Sequence, residues 1–392
     1  MSSFARVLAT AREALYGRHI PRLKSTANTA ITQIEPPQRV RLGVSGLVAL
    51  VEAGQTVEAG VLVARTREAT GFQRRIHASL GGTVTALTND EIVIEGEVPE
   101  RPPVTHNEPD WISPEAITDT AREAGLIGMG GAMFPTYLKL SRAAPIDIVL
   151  VNGCESEPYL TCDHRVLEEH RDEVNCGTVL AMHAVEAERG LIIDHETYYP
   201  GGYERLLIHD ALGRVVPPRG LPRDVGTLVM NVQSVRALHD AVCLGRPLID
   251  RVITVDGGAV GRPGNYCVPI GTEVGHLLDV CQVDLTKTAA ILTGGPMMGK
   301  PAERETPVTP GTGSVLALTP AEFSQSLVQP CIRCGHCLEA CPFDLPAAYL
   351  VESPHKAVLG CVECGACQFN CPAHIPLVSR LREAKAVVTA WD

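Results

Sequence analysis

The spacing of hydrophobic residues changes along the chain, and each change predicts a different kind of structure. Residues 31–98 show short apolar–polar alternations between glycines, which indicates β-strands. From residue 113 to about 245, apolar runs such as IDIVLVNG (146–153) alternate with helical patterns such as the one over 165–188. An alternation of strands and helices predicts a parallel sheet with covering helices.

Two local patterns add detail to this outline. Residues 51–64 and 77–87 look like the two half-motifs of a barrel-sandwich, or lipoyl-like, domain. A carrier domain of that type needs a lysine at a hairpin tip, and residues 66–77 contain none, so the resemblance concerns architecture without carrier chemistry. Farther along, Ser113 and Pro114 predict the N-cap and first turn of a helix.

The chain is therefore predicted to be a multidomain α/β protein. Its predicted divisions are an N-terminal helix and arm (1–30), a barrel-sandwich domain (31–98), an α/β domain (113–245), a β-grasp module (246–318) and a cysteine-rich helical domain (323–392). Residues 1–25 carry a local charge of +4 and apolar residues at helical spacing. Two interpretations of this segment stay open, a helix packed on its own domain or one that docks on a partner or a membrane surface.

Composition narrows the class of protein. A chain of 392 residues with 45% hydrophobic residues fits a cytosolic globular protein, and a net charge of −11 argues against nucleic-acid binding. The sequence has no apolar run of about 18 residues, so no membrane-spanning helix is predicted.

Eight of the fourteen cysteines form two runs with the same spacing, C-x2-C-x2-C-x3-C-P, which start at Cys331 and Cys361. This spacing is typical of bacterial two-cluster ferredoxins, in which three thiolates of one run and the fourth of the other bind each [4Fe–4S] cluster. The predicted ligand sets are Cys331, Cys334, Cys337 and Cys371 for one cluster, and Cys361, Cys364, Cys367 and Cys341 for the other. Zinc binding by CxxC pairs is the alternative, although it does not require the x3-Cys-Pro ending.

The other six cysteines have no partner at ligand spacing. We predict that they are small buried residues. They are Cys154, Cys162, Cys176, Cys243, Cys267 and Cys281.

Two loops of the α/β domain favour a nucleotide or flavin site. GLIGMGGAMFPTYLKL (125–140) places glycines, which let the backbone approach a phosphate closely, before a predicted helix with Lys139. NGCESEPYLTCDHR (152–165) places Glu155 and Glu157 at the carboxyl end of a predicted strand, where open α/β sheets bind ligands. The alternative for residues 125–140 is a tight turn with structural glycines, and the alternative for residues 152–165 is an acidic turn exposed to solvent.

In order along the chain, these segments resemble the C subunit of the Rnf ion-translocating electron-transport complex. The resemblance rests on the barrel-sandwich stretch, both loops, GRPGNYCVPIGT, TGGPMMG and the doubled cysteine run, and it covers about residues 18 to 380. The middle of the chain also resembles the flavin subunit of respiratory complex I. The fold implied is a Rossmann-like FMN-binding domain, an SLBB-like β-grasp module and a helical domain with two [4Fe–4S] clusters.

The resemblance also implies a function. Electrons would be exchanged between NADH and FMN and relayed through the two clusters, coupled to ferredoxin redox chemistry and to ion translocation by partner subunits. The protein would be peripheral, on the cytoplasmic side of the cell inner membrane. Its partners would be the membrane and flavin subunits of the Rnf complex and, indirectly, ferredoxin or flavodoxin.

The resemblance further assigns roles to residues of this sequence. The residues it assigns to FMN and NAD(H) are Gly128, Gly130, Gly131, Phe134, Lys139, Asn152, Gly202, Glu204 and Asn231. In this assignment the three glycines of residues 128–131, Lys139 and both asparagines contact FMN. Phe134 lies by the dinucleotide, and Gly202 and Glu204 belong to a loop that closes over flavin and NAD. Glu155 and Glu157 would line the hydride-transfer pocket and are the implied catalytic residues.

The sequence departs from the family around this pocket. Met133 and Tyr203 stand where the family usually has glycine, and Cys154 and Ser156 stand in NGCESEP where NGAECEP is usual. Two other functions therefore stay open. One is a soluble cobalamin reductase of the microcompartment type, which shares these motifs, and the other is an electron-relay adaptor that no longer binds NADH.

Overall fold

The computed structural model describes residues 20–67, 72–96, 112–194, 199–323 and 327–390. The predicted N-terminal helix lies outside the described residues up to residue 19, and the description of the arm begins at residue 20. The stretch 97–111, between the predicted barrel-sandwich and α/β domains, also lies outside the described residues. Within the described ranges, none of the helices combines the length and apolar character that crossing a bilayer requires.

The elements are numbered in chain order. The strands are β1 (Ile31–Gln33), β2 (Arg39–Gly43), β3 (Val48–Ala49), β4 (Thr56–Val57), β5 (Leu62–Arg65), β6 (Arg75–His77), β7 (Gly82–Leu87), β8 (Glu91–Glu95), β9 (Ile148–Asn152), β10 (Arg189–Ile193), β11 (Thr227–Asn231), β12 (Asp250–Asp256), β13 (Gly264–Pro269), β14 (Ala290–Thr293), β15 (Lys300–Pro301) and β16 (Ser314–Leu318). The helices are α1 (Pro114–Glu123), α2 (Thr136–Lys139), α3 (Cys162–Glu169), α4 (Arg171–Val185), α5 (Glu204–Leu212), α6 (Val232–Leu244), α7 (Val274–Val280), α8 (His336–Glu339), α9 (Ala347–Glu352), α10 (Ala366–Phe369) and α11 (Leu377–Thr389). Short 3-10 turns occupy Pro222–Val225 and Lys356–Gly360.

Two small antiparallel sheets share one core near the start of the described chain. One has the order β2-β8-β7-β4 and the other β3-β5-β6. Alternate residues of β2, Val40 and Leu42, point into the core beside Ile92 and Ile94 of β8. The period-two pattern of the sequence thus becomes the inner and outer faces of these sheets.

A three-stranded parallel sheet follows, with β9 between β10 and β11. The predicted alternation of strands and helices is realised here, and Ser113 caps α1 by accepting a hydrogen bond from the Ala116 N–H at 3.2 Å. The helix predicted over 165–188 is divided at His170, whose φ of −125° and ψ of 36° separate α3 from α4. Because β9 and β11 pair in register, Asn152 and Asn231 lie side by side at the carboxyl ends of their strands.

The third assembly is a six-stranded sheet of order β1-β13-β12-β16-β14-β15. Its first strand, β1, lies at the start of the predicted barrel-sandwich range but pairs in parallel with β13, more than two hundred residues later in the chain. Helix α7 covers one side with Val274, Leu277 and Leu278 in the core. Residues 31–33 therefore belong to the six-stranded sheet and not to the two small antiparallel sheets.

The cysteine-rich region is helical and internally repeated. Gly335 and Gly365, thirty residues apart, have φ values of +86° and +83° and precede the equivalent short helices α8 and α10. Arg333 and Glu363, also thirty apart, have φ values of +56° and +59°. The duplicated sequence therefore produces a duplicated backbone, packed on α9 and α11.

Candidate functional site

A cleft of ≈ 600 Å³ opens at the carboxyl ends of β9 and β11. Its far wall is formed by turns of the six-stranded sheet, at Thr293–Gly299 and Thr309–Gly313. Every residue that the sequence predicted for a flavin and nucleotide site lines this cleft. These residues are Gly128, Gly130, Gly131, Phe134, Lys139, Asn152, Glu155, Glu157, Gly202, Glu204 and Asn231.

The glycine-rich loop is held in place by helix α6 and by a buried arginine. The Met129 N–H donates to Ser234 Oγ at 2.9 Å, and Arg251 Nη1 donates to the Met129 carbonyl at 3.2 Å. A Cβ at Gly130 would lie 3.5 Å from Asn231 Cβ, so a side chain there would narrow the cleft between loop and helix. These contacts shape a surface of bare backbone that faces the cleft.

The two asparagines connect the loops around the cleft. Asn231 caps α6 by accepting from the Gln233 N–H at 2.9 Å. The side-chain amide of Asn152 donates to the Gly202 carbonyl at 2.8 Å, and its Oδ1 accepts from the Cys154 N–H at 3.0 Å. Asn152 therefore ties the acidic loop to the loop that contains Gly202.

Three carboxyl groups are buried in one wall of the cleft. Glu155 Oε1 accepts from the N–H of Asp163 at 2.8 Å, in the first turn of α3. Burial, followed by the nearby charge of Asp163, raises the pKa of Glu155 to about 7. Asp163 itself accepts side-chain hydrogen bonds from Asn231 at 2.5 Å and Gln233 at 2.8 Å, and burial raises its pKa.

Glu157 follows two residues after Glu155 in the same loop and contacts a different segment. Its Oε2 accepts from the N–H groups of Met297 at 2.7 Å and Met298 at 3.2 Å, which belong to the turn TGGPMMG. Burial raises the pKa of Glu157 to about 7. Burial therefore makes both Glu155 and Glu157 easier to protonate than exposed glutamates, which suits a carboxyl group that takes up and releases a proton.

Lys139 reaches the cleft from α2, but it has protein partners. Its Nζ donates to the Val229 carbonyl at 2.9 Å and lies 3.7 Å from Glu204 Oε2. The sequence singled out Lys139 because no other cation lies within residues 125–140, whereas the fold brings Arg251 and Lys300 to the same lining from distant segments. Positive charge near the cleft is therefore shared among several side chains.

The second cysteine run packs directly behind the cleft. Cys364 and Ala366 share an apolar cluster with Met297, and Tyr203 and Met298 pack against it. A Cβ at Gly365 would lie 2.7 Å from the Met297 carbonyl oxygen, so the backbones of the run and of the cleft wall are in contact. Burial, and then the nearby charges of Cys364 and Glu157, raise the pKa of Tyr203, which therefore lies between the two sites.

The eight cysteines of the two runs fall into two environments. Cys341 of the first run lines a small cavity together with Cys361, Cys364 and Cys367 of the second. The other four are Cys331, Cys334, Cys337 and Cys371, of which Cys334 is exposed and the rest are partly buried. Each thiolate that holds a four-iron cluster binds a different iron, so the four sulfurs lie farther apart than the ligands of a single ion. A cavity between the four cysteines is therefore the arrangement expected for a cluster.

Sequence reasoning missed two residues that line the cleft, Asp163 and Arg251, and one that supports them, Gln233. Asp163 and Gln233 are buried and hydrogen-bonded to each other, and Arg251 is 2% exposed. Arg251 stands in the strand pattern LIDRVITVD, where a lone arginine suggests a solvent-facing position. Its role becomes visible only when β12 is placed beside the glycine-rich loop.

Comparisons with known proteins give consistent relatives. Residues 121–198 match the family model of the Nuo51 FMN-binding domain. The chain is 33% identical to the C subunit of the proton-translocating ferredoxin:NAD(+) oxidoreductase complex of Clostridium ljungdahlii, with 83% of this chain and 81% of that protein covered. It is 31% identical to the C subunit of the Na(+)-translocating ferredoxin:NAD(+) oxidoreductase complex of Acetobacterium woodii, with 86% of each covered.

Other matches are partial or weaker. The C subunit of the ion-translocating oxidoreductase complex of Rhodobacter capsulatus is 34% identical, and the alignment covers 76% of this chain and 65% of that protein. A chain of an NAD+-reducing [NiFe]-hydrogenase in the H2-reduced state has a TM-score of 0.45 and 21% identity, over 64% of this chain and 52% of that chain.

Proposed function

Because the chain belongs to the family of C subunits of ion-translocating ferredoxin:NAD(+) oxidoreductase complexes, we propose that it exchanges electrons between NADH and FMN in the cleft and relays them through two [4Fe–4S] clusters. It is an oxidoreductase component with an FMN-binding domain. The observation that carries the proposal is that the predicted flavin and nucleotide residues, scattered from Gly128 to Asn231, line one cleft directly backed by a cysteine run.

The residues present fit FMN. The cleft volume of ≈ 600 Å³ lies within the range typical of cofactor pockets. The bare backbone at Gly130 and Gly131 would hold the phosphate side, with Lys139 as a cation, while Asn152 and Asn231 would contact the remaining FMN. Phe134, which is 38% exposed, would lie by the dinucleotide, and the loop with Gly202 and Glu204 would close over both. Bound FMN would supply the conversion between two-electron and one-electron transfer.

The buried carboxyl groups would manage charge and protons in this site. Glu155 and Glu157 lie in the wall of the cleft with pKa values of about 7. Each can therefore hold a proton on its carboxyl group when negative charge develops nearby and release it afterwards. The fixed N–H donors of Asp163 and Met297 keep both carboxyl groups oriented in either state.

Two clusters with crossed ligands would continue the path. We assign one to Cys361, Cys364, Cys367 and Cys341, because these four line one cavity, and the other to Cys331, Cys334, Cys337 and Cys371. The first lies behind the cleft through Met297 and Tyr203, whereas Cys334 of the second is exposed. Electrons would therefore pass between the cleft and the first cluster, and between the second cluster and a partner.

The domain plan and setting complete the proposal. In this proposal the sheets, helices and cysteine region would form a barrel-sandwich domain, a Rossmann-like FMN domain, an SLBB-like β-grasp module and a ferredoxin-like domain. The protein would act as a peripheral component on the cytoplasmic side of the inner membrane. Membrane and flavin subunits of an Rnf-type complex would be its partners, and these partners would couple ferredoxin redox chemistry to ion translocation.

Anaerobic purification followed by cofactor analysis and NADH titration tests this function. We expect about eight iron atoms, matching acid-labile sulfide and one FMN per chain. NADH should bleach the flavin and then the clusters, with dithionite as the control for cluster integrity. Clusters that dithionite reduces, in a protein that binds no added FMN and does not respond to NADH, would overturn the proposal.

A further inference from the structure

Two cysteines and a histidine converge where helices α4 and α6 pack against each other, outside the cleft and the cysteine runs. The sulfurs of Cys176 and Cys243 are 3.9 Å apart. A ring nitrogen of His239 completes a group in which all ligand atoms lie within 4.8 Å of one another. Neither the proposed flavin site nor the proposed clusters use these residues.

The local sequence explains why the three side chains meet. His239 and Cys243 are four residues apart on α6 and therefore share one face of that helix. Cys176 faces them from α4, next to Gly177. A Cβ at Gly177 would lie 2.1 Å from the Val235 carbonyl oxygen, so only glycine allows this close approach of the two helices.

The spacing fits a single tetrahedral metal ion. Zinc–sulfur bonds of about 2.3 Å at a tetrahedral angle place two thiolates about 3.8 Å apart, which matches the 3.9 Å between Cys176 and Cys243. His239 Nδ1 lies 3.0 Å from Asp240 Oδ1. A carboxylate on one ring nitrogen is the usual partner of a metal-binding histidine, and it leaves Nε2 for the metal.

We propose that Cys176, His239 and Cys243 bind one zinc ion, with a water molecule as the fourth ligand. Thiolate and imidazole ligands select a soft or borderline ion over Mg²⁺ or Ca²⁺. Three ligands from two helices are also too few for a [4Fe–4S] cluster, which takes four thiolates. Cys243 is buried, whereas Cys176 and His239 are partly exposed, so a water molecule can reach the group as the fourth ligand.

The zinc ion would hold α4 and α6 together through residues in the second half of α6. Helix α6 begins at the cap residue Asn231, and Ser234 in its first turn holds the glycine-rich loop through Met129. Fixing this helix to α4 therefore stabilises the support of the loop. The role is structural and independent of electron transfer.

The test uses the holoprotein, prepared anaerobically with its iron and sulfide content measured, and then dialysed against zinc. We expect one zinc per chain in addition to the full iron content, and a zinc X-ray absorption spectrum with two sulfur ligands at about 2.3 Å and lighter ligands at about 2.0 Å. Cys176→Ser and His239→Ala should lower zinc affinity at least tenfold, and Asp240→Ala roughly 10- to 100-fold, without loss of iron. Cys281→Ser is the control, since Cys281 is a buried thiol outside this group.

Several results would overturn the proposal. Zinc with four sulfur ligands would place it in the iron–sulfur cysteines. Equal zinc binding by the wild type and Cys176→Ser, or no zinc binding by the wild type, would exclude this site. A Cys176–Cys243 disulfide that persists in the anaerobic protein, detected by alkylation and mass measurement, would show a redox pair in place of a metal site.

Discussion

The glycines before α8 and α10 offer a matched test of how the second cysteine run is attached to the cleft. A methyl group at Gly365 would lie 2.7 Å from the Met297 carbonyl oxygen and 2.9 Å from Met298 Sδ. Gly335 has the same place in the first run, and a methyl group there meets no atom of the described residues within 4 Å. With φ values of +83° and +86°, the variants G365A and G335A share the backbone cost of a left-handed alanine, ~1–2 kcal/mol, and differ in this contact.

The contact at Gly365 can be relieved only by moving backbone, because the nearest atom is a carbonyl oxygen. Overpacking of this kind typically costs ~1–3 kcal/mol. Since 1 kcal/mol lowers the Tm of a unit of 150–250 residues by ~2–4 °C, G365A should melt ~2–12 °C below G335A. The movement also displaces Met297 and Met298, whose N–H groups bind Glu157.

Anaerobic calorimetry and stopped-flow mixing with NADH measure the two effects. In G365A the reduction of the clusters that follows flavin bleaching should be slowed, and flavin bleaching itself should slow to the extent that Glu157 is displaced. G335A should resemble the wild type in both steps. Equal melting temperatures and equal cluster reduction in the two variants would refute the inference that the second run rests on the cleft wall.

The cleft and the clusters support three further predictions. Cys341→Ser should damage the cluster of Cys361, Cys364 and Cys367, seen by site-resolved EPR; loss of the first run's own cluster would contradict crossed ligation. Lys139→Ala should purify with less flavin, because its affinity for FMN should be lower by roughly 10- to 150-fold (~1.5–3 kcal/mol). Lys287→Ala, at an exposed position, is the control and should keep its flavin. Full flavin occupancy in Lys139→Ala would show that the FMN phosphate does not bind at Lys139. Glu157 has a folded-state pKa of about 7 against an ordinary value of 4.5, so its ionisation destabilises the fold progressively as pH rises from about 4.5 to 7. Relative to Glu157→Gln, the wild type should lose ~3 kcal/mol across this window, measured as Tm against pH, and parallel profiles would contradict the buried ionisation.

The local parts of this fold could be predicted, and the long-range parts could not. Strands β9 and β10 and the cap at Ser113 follow from patterns within a few residues. The pairing of β1 with β13 depends on a partner far along the chain, and nothing local in residues 31–33 indicates it. The sequence predicts Cys176 and Cys243 as separate buried residues for the same reason, since 67 positions separate two thiols that the helices bring to 3.9 Å.

The site shows the same division. Family motifs predicted the cleft residues because each motif is contiguous, whereas Arg251, Asp163 and Gln233 are joined by contacts between distant segments. Asn231 also has a local structural role, since asparagine is a preferred N-cap directly before a helix. Its side chain does cap α6, and that cap lies at the edge of the cleft.

The two departures from glycine around the cleft have opposite structural consequences. Met133 has a φ of +50°, a conformation that glycine adopts without strain, so the methionine carries a backbone cost in the glycine-rich loop. Tyr203 has a φ of −70° and needs no special conformation. Its side chain instead packs against the apolar side-chain group that includes Cys364 and Met297. A glycine at this position would leave a gap between the cleft and the second cysteine run. Tyr203 therefore adds contact along the proposed electron path, while Met133 alters the loop that faces the cofactor, and these two effects can be separated by exchanging each residue for glycine.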